Sequence, residues 1–157
     1  MSDMNLKFAW SKVPTGIGIV TTIDHDGDIH GITINSFFSV SIKYPTIGFL
    51  ISFKSESHDL LQNNVIFGFS LLRHDQSDYA NFYSNNQSGK PLGIEFLNLD
   101  NGVSVIRNSV VQFSCRVNKA IPLKDHSIFI SDIDSFKFID DNPLLWYKSN
   151  FSNISNI

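Results

Sequence analysis

The chain is rich in β-branched and aromatic residues and nearly devoid of alanine. Its 157 residues include 19 Ile, 9 Val and 14 Phe, but only the three alanines Ala9, Ala80 and Ala120. β-Branched and aromatic side chains fit the half-buried, pleated surface of a sheet, whereas alanine is the best helix former. Because this length is typical of one domain, the sequence predicts a single, mainly β domain.

Seven or eight apolar segments of strand length, separated by turn residues, carry this β signal. The segments are residues 17–23, 29–34, 46–53, 65–72, 103–106, 110–117, 127–138 and 144–147. The first two flank Asp26-Gly27, which predicts a hairpin. Ser57 and Asp75 are expected to cap two short helices, and residues 84–93 are expected to form a surface loop. Since strands do not alternate with helices, the pattern favours a barrel or sandwich.

Charge and cysteine content argue against several functions. Twelve Lys and Arg against fifteen Asp and Glu give a net charge of −3, whereas nucleic-acid and anionic membrane surfaces require basic patches. The single cysteine, Cys115, permits no internal disulfide and is expected to be a buried structural thiol. We see no secretory signal and no apolar run long enough to span a membrane, so we expect a cytoplasmic protein without nucleic-acid or membrane partners.

Motifs for self-sufficient catalysis are missing from the sequence. There is no G-x-x-x-x-G-K-[ST] phosphate loop and no G-x-S-x-G elbow, and Gly16 and Gly18 lack the third glycine of a dinucleotide fingerprint. The five histidines are scattered without metal-ligand spacing, so no metal site is predicted. We therefore expect that a bound cofactor carries any chemistry.

Three segments could hold such a cofactor, and each has an ordinary structural alternative. Residues 31–41 end a strand and present serine hydroxyls and amides, or form a Ser-rich turn with two phenylalanines packed inside. Residues 52–57 run into a helix N-terminus, where free N–H groups, the helix dipole and Lys54 suit a phosphate. An ordinary helix cap with a solvated Lys54 is the alternative there. His126, just before a strand, is either a ligand contact or a capping or packing residue.

Taken in order, these segments resemble one known family. The similar motifs are TGIGIVTT (15–22), HGITINSFFSVS (30–41), Ser57, FGFSLL (67–72), Asp75-Gln76 followed by Phe82, DHSIFI (125–130) and PLLWY (143–147). Together they resemble the flavin reductase family, the small reductase partners of two-component monooxygenases. The resemblance covers about residues 10–151 of a single domain, residues 1–157. It implies an FMN-binding split β-barrel of Greek-key type with a few short helices.

The resemblance also implies site residues, position by position. Cofactor binding is assigned to Thr33, Asn35, Ser36, Ser52, Phe53, Lys54 and Ser57. The first three would hold the isoalloxazine edge, Ser52 and Phe53 would continue that wall, and Lys54 and Ser57 would meet the flavin phosphate. His126 occupies the catalytic position and, with Tyr147, would form the nicotinamide pocket.

The implied activity is that of an NAD(P)H:flavin oxidoreductase. Such an enzyme transfers a hydride from NADH or NADPH to FMN or FAD, is a homodimer, and passes reduced flavin to a monooxygenase. One departure is Lys124, which stands where the family usually has a glycine before Asp-His. It favours the alternative of an FMN-binding electron-transfer or ligand-binding protein without NAD(P)H turnover. A flavin-dependent oxidase with its own organic substrate is a further alternative.

Overall fold

The computed structural model describes residues 3–63, 66–84, 89 and 93–156. The helices in this part of the chain are α1 (Asp3–Trp10), α2 (Glu56–Asn63), α3 (Ser77–Ser84) and a 3-10 helix (Ile154–Asn156). The strands are β1 (Thr15–Gly16), β2 (Gly18–Ile23), β3 (Ile29–Ile34), β4 (Phe37–Ser41), β5 (Thr46–Ser52), β6 (Ile66–Leu71), β7 (Phe96–Asn98), β8 (Ser104–Ile106), β9 (Val111–Pro122), β10 (His126–Phe138), β11 (Leu145–Tyr147) and β12 (Asn150–Ser152). Most of the loop predicted for residues 84–93 lies outside the described residues. Among the helices described, none has the length and apolar character needed to cross a membrane.

Seven antiparallel strands form the main sheet, in the order β3-β2-β6-β9-β10-β5-β4. The predicted hairpin is present, since Ile23 of β2 lies opposite Ile29 of β3. β2 pairs with β6, and β5 pairs with β10, so the strand order does not follow the sequence. The prediction of a mainly β fold is confirmed. The pairings of the described strands leave β3 and β4 as edges, so this sheet is not closed into a barrel by hydrogen bonds.

Residues 37–41 form the edge strand β4 rather than a turn. Phe37 lies opposite Phe49 of β5, and its ring meets that of Phe69 edge-on at 5.0 Å. Phe38 is exposed on the opposite face. The interpretation as a Ser-rich turn with both phenylalanines inside is therefore wrong, because alternation along a strand sends successive side chains to opposite faces.

The strand and capping patterns of the sequence did not indicate α1, β1, β7 or β12. β1, β11 and β12 form a small sheet in which Thr15 lies opposite Trp146. The chain just after α1 is joined to this sheet where the backbone N–H of Lys148 donates to the carbonyl of Ser11 at 2.8 Å. No residue of α1 is buried, so the helix lacks the inward apolar face by which sequence periodicity detects helices.

Aromatic side chains fill the core under the main sheet. Phe49 of β5 stacks on Phe129 of β10, with ring centroids 5.3 Å apart, and meets Phe67 of β6 edge-on at the same distance. Cys115 of β9 belongs to this core and is fully buried. Burial raises the pKa of its thiol, which confirms the expected structural, unreactive cysteine.

Both helices predicted from capping residues begin elsewhere than expected. α2 begins at Glu56, so Ser55 and not Ser57 occupies the cap position. α3 begins at Ser77 after Gln76, whose carbonyl accepts the N–H of Tyr79 at 3.1 Å. Asp75 does not cap α3, because its carboxylate is held by the guanidinium of Arg73 at 2.7 Å.

A glycine lets α3 approach the sheet closely. A Cβ atom at Gly31 of β3 would lie 2.5 Å from the ring of Tyr83, a fully buried residue of α3. Such a distance is incompatible with a side chain larger than hydrogen unless the ring moves. Gly31 therefore fixes how near α3 lies to the segment that carries the predicted flavin-edge residues.

Candidate functional site

The ladder between β5 and β10 brings two predicted site segments together. Ser52, the last residue of β5, lies opposite His126, the first residue of β10. The backbone N–H of Phe53 donates to the carbonyl of Asp125 at 3.0 Å. Ser52, Phe53, Lys54 and His126 therefore meet at one end of the main sheet, although more than 70 residues separate the two segments in sequence.

The imidazole of His126 is oriented by its neighbour Asp125. Nδ1 of His126 lies 2.9 Å from Oδ1 of Asp125. The pKa of Asp125 lies below its ordinary value, chiefly because His126 donates a hydrogen bond to the carboxylate. Since a carboxylate can only accept, Nδ1 carries the proton, and Nε2 of the half-buried ring is left for other partners.

The start of α2 contains a buried hydroxyl without a partner. Oγ of Ser55 is inaccessible to solvent and forms no hydrogen bond, and Ser55 is the residue directly before the helix. The first backbone N–H groups of a helix also lack intrahelical acceptors and lie at the positive end of the dipole. The exposed Lys54 adds a cation next to them. The carboxylates of Glu56 and Asp59 in the same turn oppose this positive charge, so it is the unbonded donors that an anionic oxygen would complete.

Ser57 faces the protein interior. Its hydroxyl lies 2.7 Å from Nε2 of His30 on β3, and both residues are only 1% exposed. The hydroxyl is therefore engaged within the fold, and the backbone N–H is the part of Ser57 that remains for an anion. Burial lowers the pKa of His30, opposed in part by the charges of Glu56 and Asp24, so this histidine is neutral near pH 7.

His58, the next residue of α2, connects the helix to the start of β10. Its Nε2 lies 2.9 Å from the hydroxyl of Ser127, the neighbour of His126. Its ring meets Phe53 edge-on at 5.1 Å and Phe129 at 5.6 Å. The first turn of α2 is thus fixed by buried histidine–serine contacts to two strands, β3 and β10.

The predicted flavin-edge residues form a second group at the end of β3. The hydroxyl of Thr33 donates to the carbonyl of Ala80 at 2.8 Å, and the amide of Asn35 donates to the hydroxyl of Thr15 at 3.2 Å. The hydroxyl of Ser36 donates to the carbonyl of Leu50 at 3.0 Å. Ser36 thereby joins this group to β5, two residues before Ser52.

Two cavities lie beside the second group. One, of about 250 Å³, is lined by Thr33 and Asn35 together with Trp146 of β11. The other, of about 680 Å³, is lined by Asn35, Ser36, Trp146 and residues of α1. Tyr147 lies on β11 in the small sheet, where the described contacts pair it with Asn150 and Lys148 rather than with His126.

Sequence reasoning gave no individual role to Ser55, Asp125, His30 or the two tryptophans, although Ser55 and Asp125 lie in segments that it singled out. Ser55 had a usable signal, since it directly precedes the acidic first turn of α2, a pattern typical of a helix cap. His30 had no usable sequence signal, because its contact with Ser57 depends on which face of β3 lies under α2. The apolar lining of a cavity likewise cannot be read from isolated tryptophans.

Comparison with known proteins identifies the class to which this fold and site belong. Residues 10–155 match the model of the flavin reductase like domain, and the chain belongs to that family. The expected resemblance is thus confirmed over nearly the whole chain.

Individual relatives agree with this assignment. The chain is 30% identical over 141 residues to the NADH-dependent flavin reductase StyB of Pseudomonas fluorescens, covering 87% of this chain and 81% of that protein. It is 31% identical over 130 residues to the actinorhodin polyketide dimerase of Streptomyces coelicolor, covering 83% and 73%. Among solved structures, the styrene monooxygenase flavin reductase from Pseudomonas putida S12 superposes with a TM-score of 0.86 at 28% identity, covering 95% of this chain and 96% of that one.

Proposed function

We propose that this protein is an NAD(P)H-dependent flavin reductase that transfers a hydride from a nicotinamide to FMN or FAD. The observation that carries the proposal is the unpartnered, buried hydroxyl of Ser55 at the start of α2, in a chain of the flavin reductase like family. A flavin phosphate would accept from the first N–H groups of α2, from Lys54 and, once its side chain turns outward, from the hydroxyl of Ser55. The residues present therefore fit the flavin that the family implies.

The flavin ring would lie along the two groups joined by Ser36. The side chains of Thr33 and Ser36 are engaged with backbone carbonyls, so they fix the end of β3 while backbone groups there remain for the ring edge. Asn35 donates through its amide nitrogen, which leaves its carbonyl oxygen as an acceptor. Ser52 and the exposed Phe53 continue the wall toward the phosphate end.

When bound, the flavin supplies the acceptor for a hydride and a proton, so that NAD(P)H and flavin become NAD(P)⁺ and reduced flavin. The chain itself contributes orientation and exclusion of water. His126, with Nδ1 held by Asp125, presents Nε2 and a ring face of fixed orientation toward the nicotinamide. No strong acid or base is required for this role, in agreement with a sequence that contains no catalytic constellation.

The decisive experiment measures NADH and NADPH oxidation by the purified protein with FMN, FAD and riboflavin. We expect turnover, and we expect His126→Ala to lower kcat/KM for the nicotinamide substrate by about 10- to 100-fold while flavin affinity is retained. His25→Ala, which removes an exposed histidine of the β2–β3 turn, is the matched control and should behave as wild type. Flavin binding without oxidation of either nucleotide would overturn the proposal.

We further propose that two copies associate through the apolar groove beside β4. The groove has a volume of about 440 Å³, and its lining includes the exposed side chains of Phe38, Ile42 and Phe136. An exposed apolar surface of this kind is typical of an interface between subunits. Light scattering should report a dimer for wild type and a monomer for Ile42→Asp, whereas Ile154→Asp, at an exposed position of the 3-10 helix, should remain dimeric. A monomeric wild type would contradict this.

Transfer of reduced flavin to a separate monooxygenase is the expected use of the product. It is supported by the similarity to a reductase named as part of styrene monooxygenase. A cytoplasmic location stays a prediction, with which the buried free thiol of Cys115 is compatible. The partner is testable by asking whether the reductase supports turnover of a flavin-dependent monooxygenase across a dialysis membrane, which reduced flavin can cross and neither protein can.

A flavin-dependent enzyme with its own organic substrate is a second candidate. The similarity to a polyketide dimerase favours it. This enzyme would bind flavin tightly and oxidise NAD(P)H slowly unless an aromatic substrate is present. Steady oxidation of NAD(P)H with free flavin alone would exclude it.

A further inference from the structure

Both tryptophans of the chain line one cavity. The sequence contains two tryptophans, Trp10 at the end of α1 and Trp146 on β11, and both lie on the wall of the cavity of about 680 Å³ described above. The same wall contains Lys7, Asn35 and Ser36. Two indole faces with a cation and an amide beside them provide the groups that recognise a planar heteroaromatic ring.

The two tryptophans are held very differently. Trp146 lies in the small sheet opposite Thr15, and its ring meets Phe151 edge-on at 5.2 Å, so its position is fixed by packing. Trp10 is 66% exposed on a helix without buried residues. Exposing this much indole to water is unfavourable, and a ring that stacked on it would remove that apolar surface from solvent.

The cavity adjoins the predicted flavin edge but not the phosphate end of the site. Its lining shares Asn35 and Ser36 with the flavin-edge group, and no residue of the turn from Ser52 to Ser57 is part of it. A ligand ring in this cavity would therefore lie at the ring end of the site. The cation of Lys7 would be available to a nucleotide phosphate there.

We propose that Trp10 and Trp146 bind one of the two planar rings that the reaction brings together, the isoalloxazine of the flavin or the nicotinamide of the co-substrate. The proposal rests on the proposed function, since it takes its ligands from that reaction. Trp146 forms the fixed wall, and Trp10 covers the ring from α1. The two tryptophans are then specificity-determining residues for a planar ring.

Equilibrium titrations with ligands that do not react identify the ring. FMN, riboflavin and NAD⁺ are titrated separately into wild type, Trp10→Ala and Trp10→Phe, with AMP as a ligand that has neither ring. Loss of the stacking indole should raise the Kd of the bound ring ligand by about tenfold. A rise for FMN and riboflavin together assigns the isoalloxazine, and a rise for NAD⁺ alone assigns the nicotinamide.

The control variant is Phe8→Ala, which truncates an equally exposed aromatic residue of the same helix that does not line the cavity. It should bind every ligand as wild type does. Trp10→Phe keeps an aromatic face and should recover at least half of the lost binding free energy. Because Trp10 is exposed, both variants should fold, and unfolding by urea checks this directly.

Several results would overturn the proposal. Unchanged Kd values for FMN, riboflavin and NAD⁺ in Trp10→Ala would do so, as would equal weakening by Phe8→Ala. A Trp10→Ala variant that loses dimerisation but no ring affinity would show that a second copy covers the cavity instead. If wild type oxidises no NAD(P)H yet binds a ring through Trp10, the proposed function fails while ring binding stands.

Discussion

The helices α1 and α2 have the same length of eight residues but opposite surroundings. α1 buries no side chain and is joined to the rest of the fold near its C-terminus, at Ser11. α2 buries Ser57, His58, Leu60 and Leu61 and contacts both β3 and β10 through histidine–serine pairs. Both helices lie next to predicted site residues. They therefore differ in how many of their side chains are buried and not in their distance from the site.

In the proposed site, this difference gives the two helices different parts of binding. A phosphate site needs N–H groups in fixed positions, because hydrogen bonds to an anion weaken steeply when their geometry changes. α2 meets that requirement through its buried first turn. A ring needs an apolar face that can adjust as ligands enter and leave, and in our proposal the exposed α1 would meet that requirement through Trp10.

The largest expected effect tests the burial of α2 directly. Leu61 is fully buried and belongs to the main core, so Leu61→Ala should lower the free energy of unfolding by about 2–5 kcal/mol through lost contacts and a cavity. Leu6→Ala, at a 44% exposed position of α1, should change it by no more than about 0.5 kcal/mol. Urea unfolding followed by circular dichroism measures both. Similar losses in the two variants would contradict the contrast between the helices.

The next effect concerns the histidine–serine pair beneath the phosphate turn. Ser57→Ala removes the hydroxyl that contacts buried His30, and the loss of a buried hydrogen bond should cost about 1–3 kcal/mol of unfolding free energy. The start of α2 is then held less firmly, so FMN affinity should fall while riboflavin affinity is retained. Ser84→Ala is the control, since that serine is exposed and bonds only within α3. An unaltered FMN affinity in Ser57→Ala would show that α2 does not need this contact.

The pH dependence of stability provides a smaller and independent test. Burial lowers the pKa of His30 in the folded protein below its ordinary value of 6.5. The unfolded chain therefore binds a proton more readily, and stability should fall as pH decreases below 6.5 toward the folded pKa, with a slope of at most about 1.4 kcal/mol per pH unit from this group.

Replacing the histidine isolates that contribution. His30→Gln should show a flatter dependence of the urea midpoint between about pH 5 and 7 than wild type, whatever its absolute stability. His25→Gln, at an exposed position, should keep the wild-type slope. Parallel curves for His30→Gln and wild type would mean that His30 does not couple protonation to folding.

The contrast between the helices also explains which elements were predictable. The β2–β3 hairpin and strands β5, β6 and β10 were predicted because their apolar runs are buried and bounded by turn residues. α1 was missed because no face of it is buried. β4 was missed because it is an edge strand. Phe37 points inward and Phe38 is exposed, so only one of its two aromatic residues packs against the core.

The site residues likewise divide into those that the sequence could indicate and those that only the fold could. Lys54 and His126 were singled out from local sequence and given their expected roles by the family resemblance, and the ladder between β5 and β10 brings their segments together. That Ser57 points toward His30 depends on the side of β3 over which α2 lies, and nothing local in the sequence determines that. The proposed phosphate end was thus predicted to within a turn of helix, whereas the fold was needed to choose between the hydroxyls of Ser55 and Ser57.

The smallest effect distinguishes these two serines. Ser55→Ala removes a buried hydroxyl that has no partner, so the free energy of unfolding should stay the same or rise slightly, unlike in Ser57→Ala. If the hydroxyl donates to the flavin phosphate, FMN should bind about 2- to 10-fold more weakly, the equivalent of about 0.5–1.5 kcal/mol for one hydrogen bond. Riboflavin, which has no phosphate, should bind unchanged, and Ser77→Ala at the start of α3 should affect neither ligand. Equal weakening of FMN and riboflavin would place Ser55 at the ring instead, and no weakening would leave the phosphate to Lys54 and the backbone of α2.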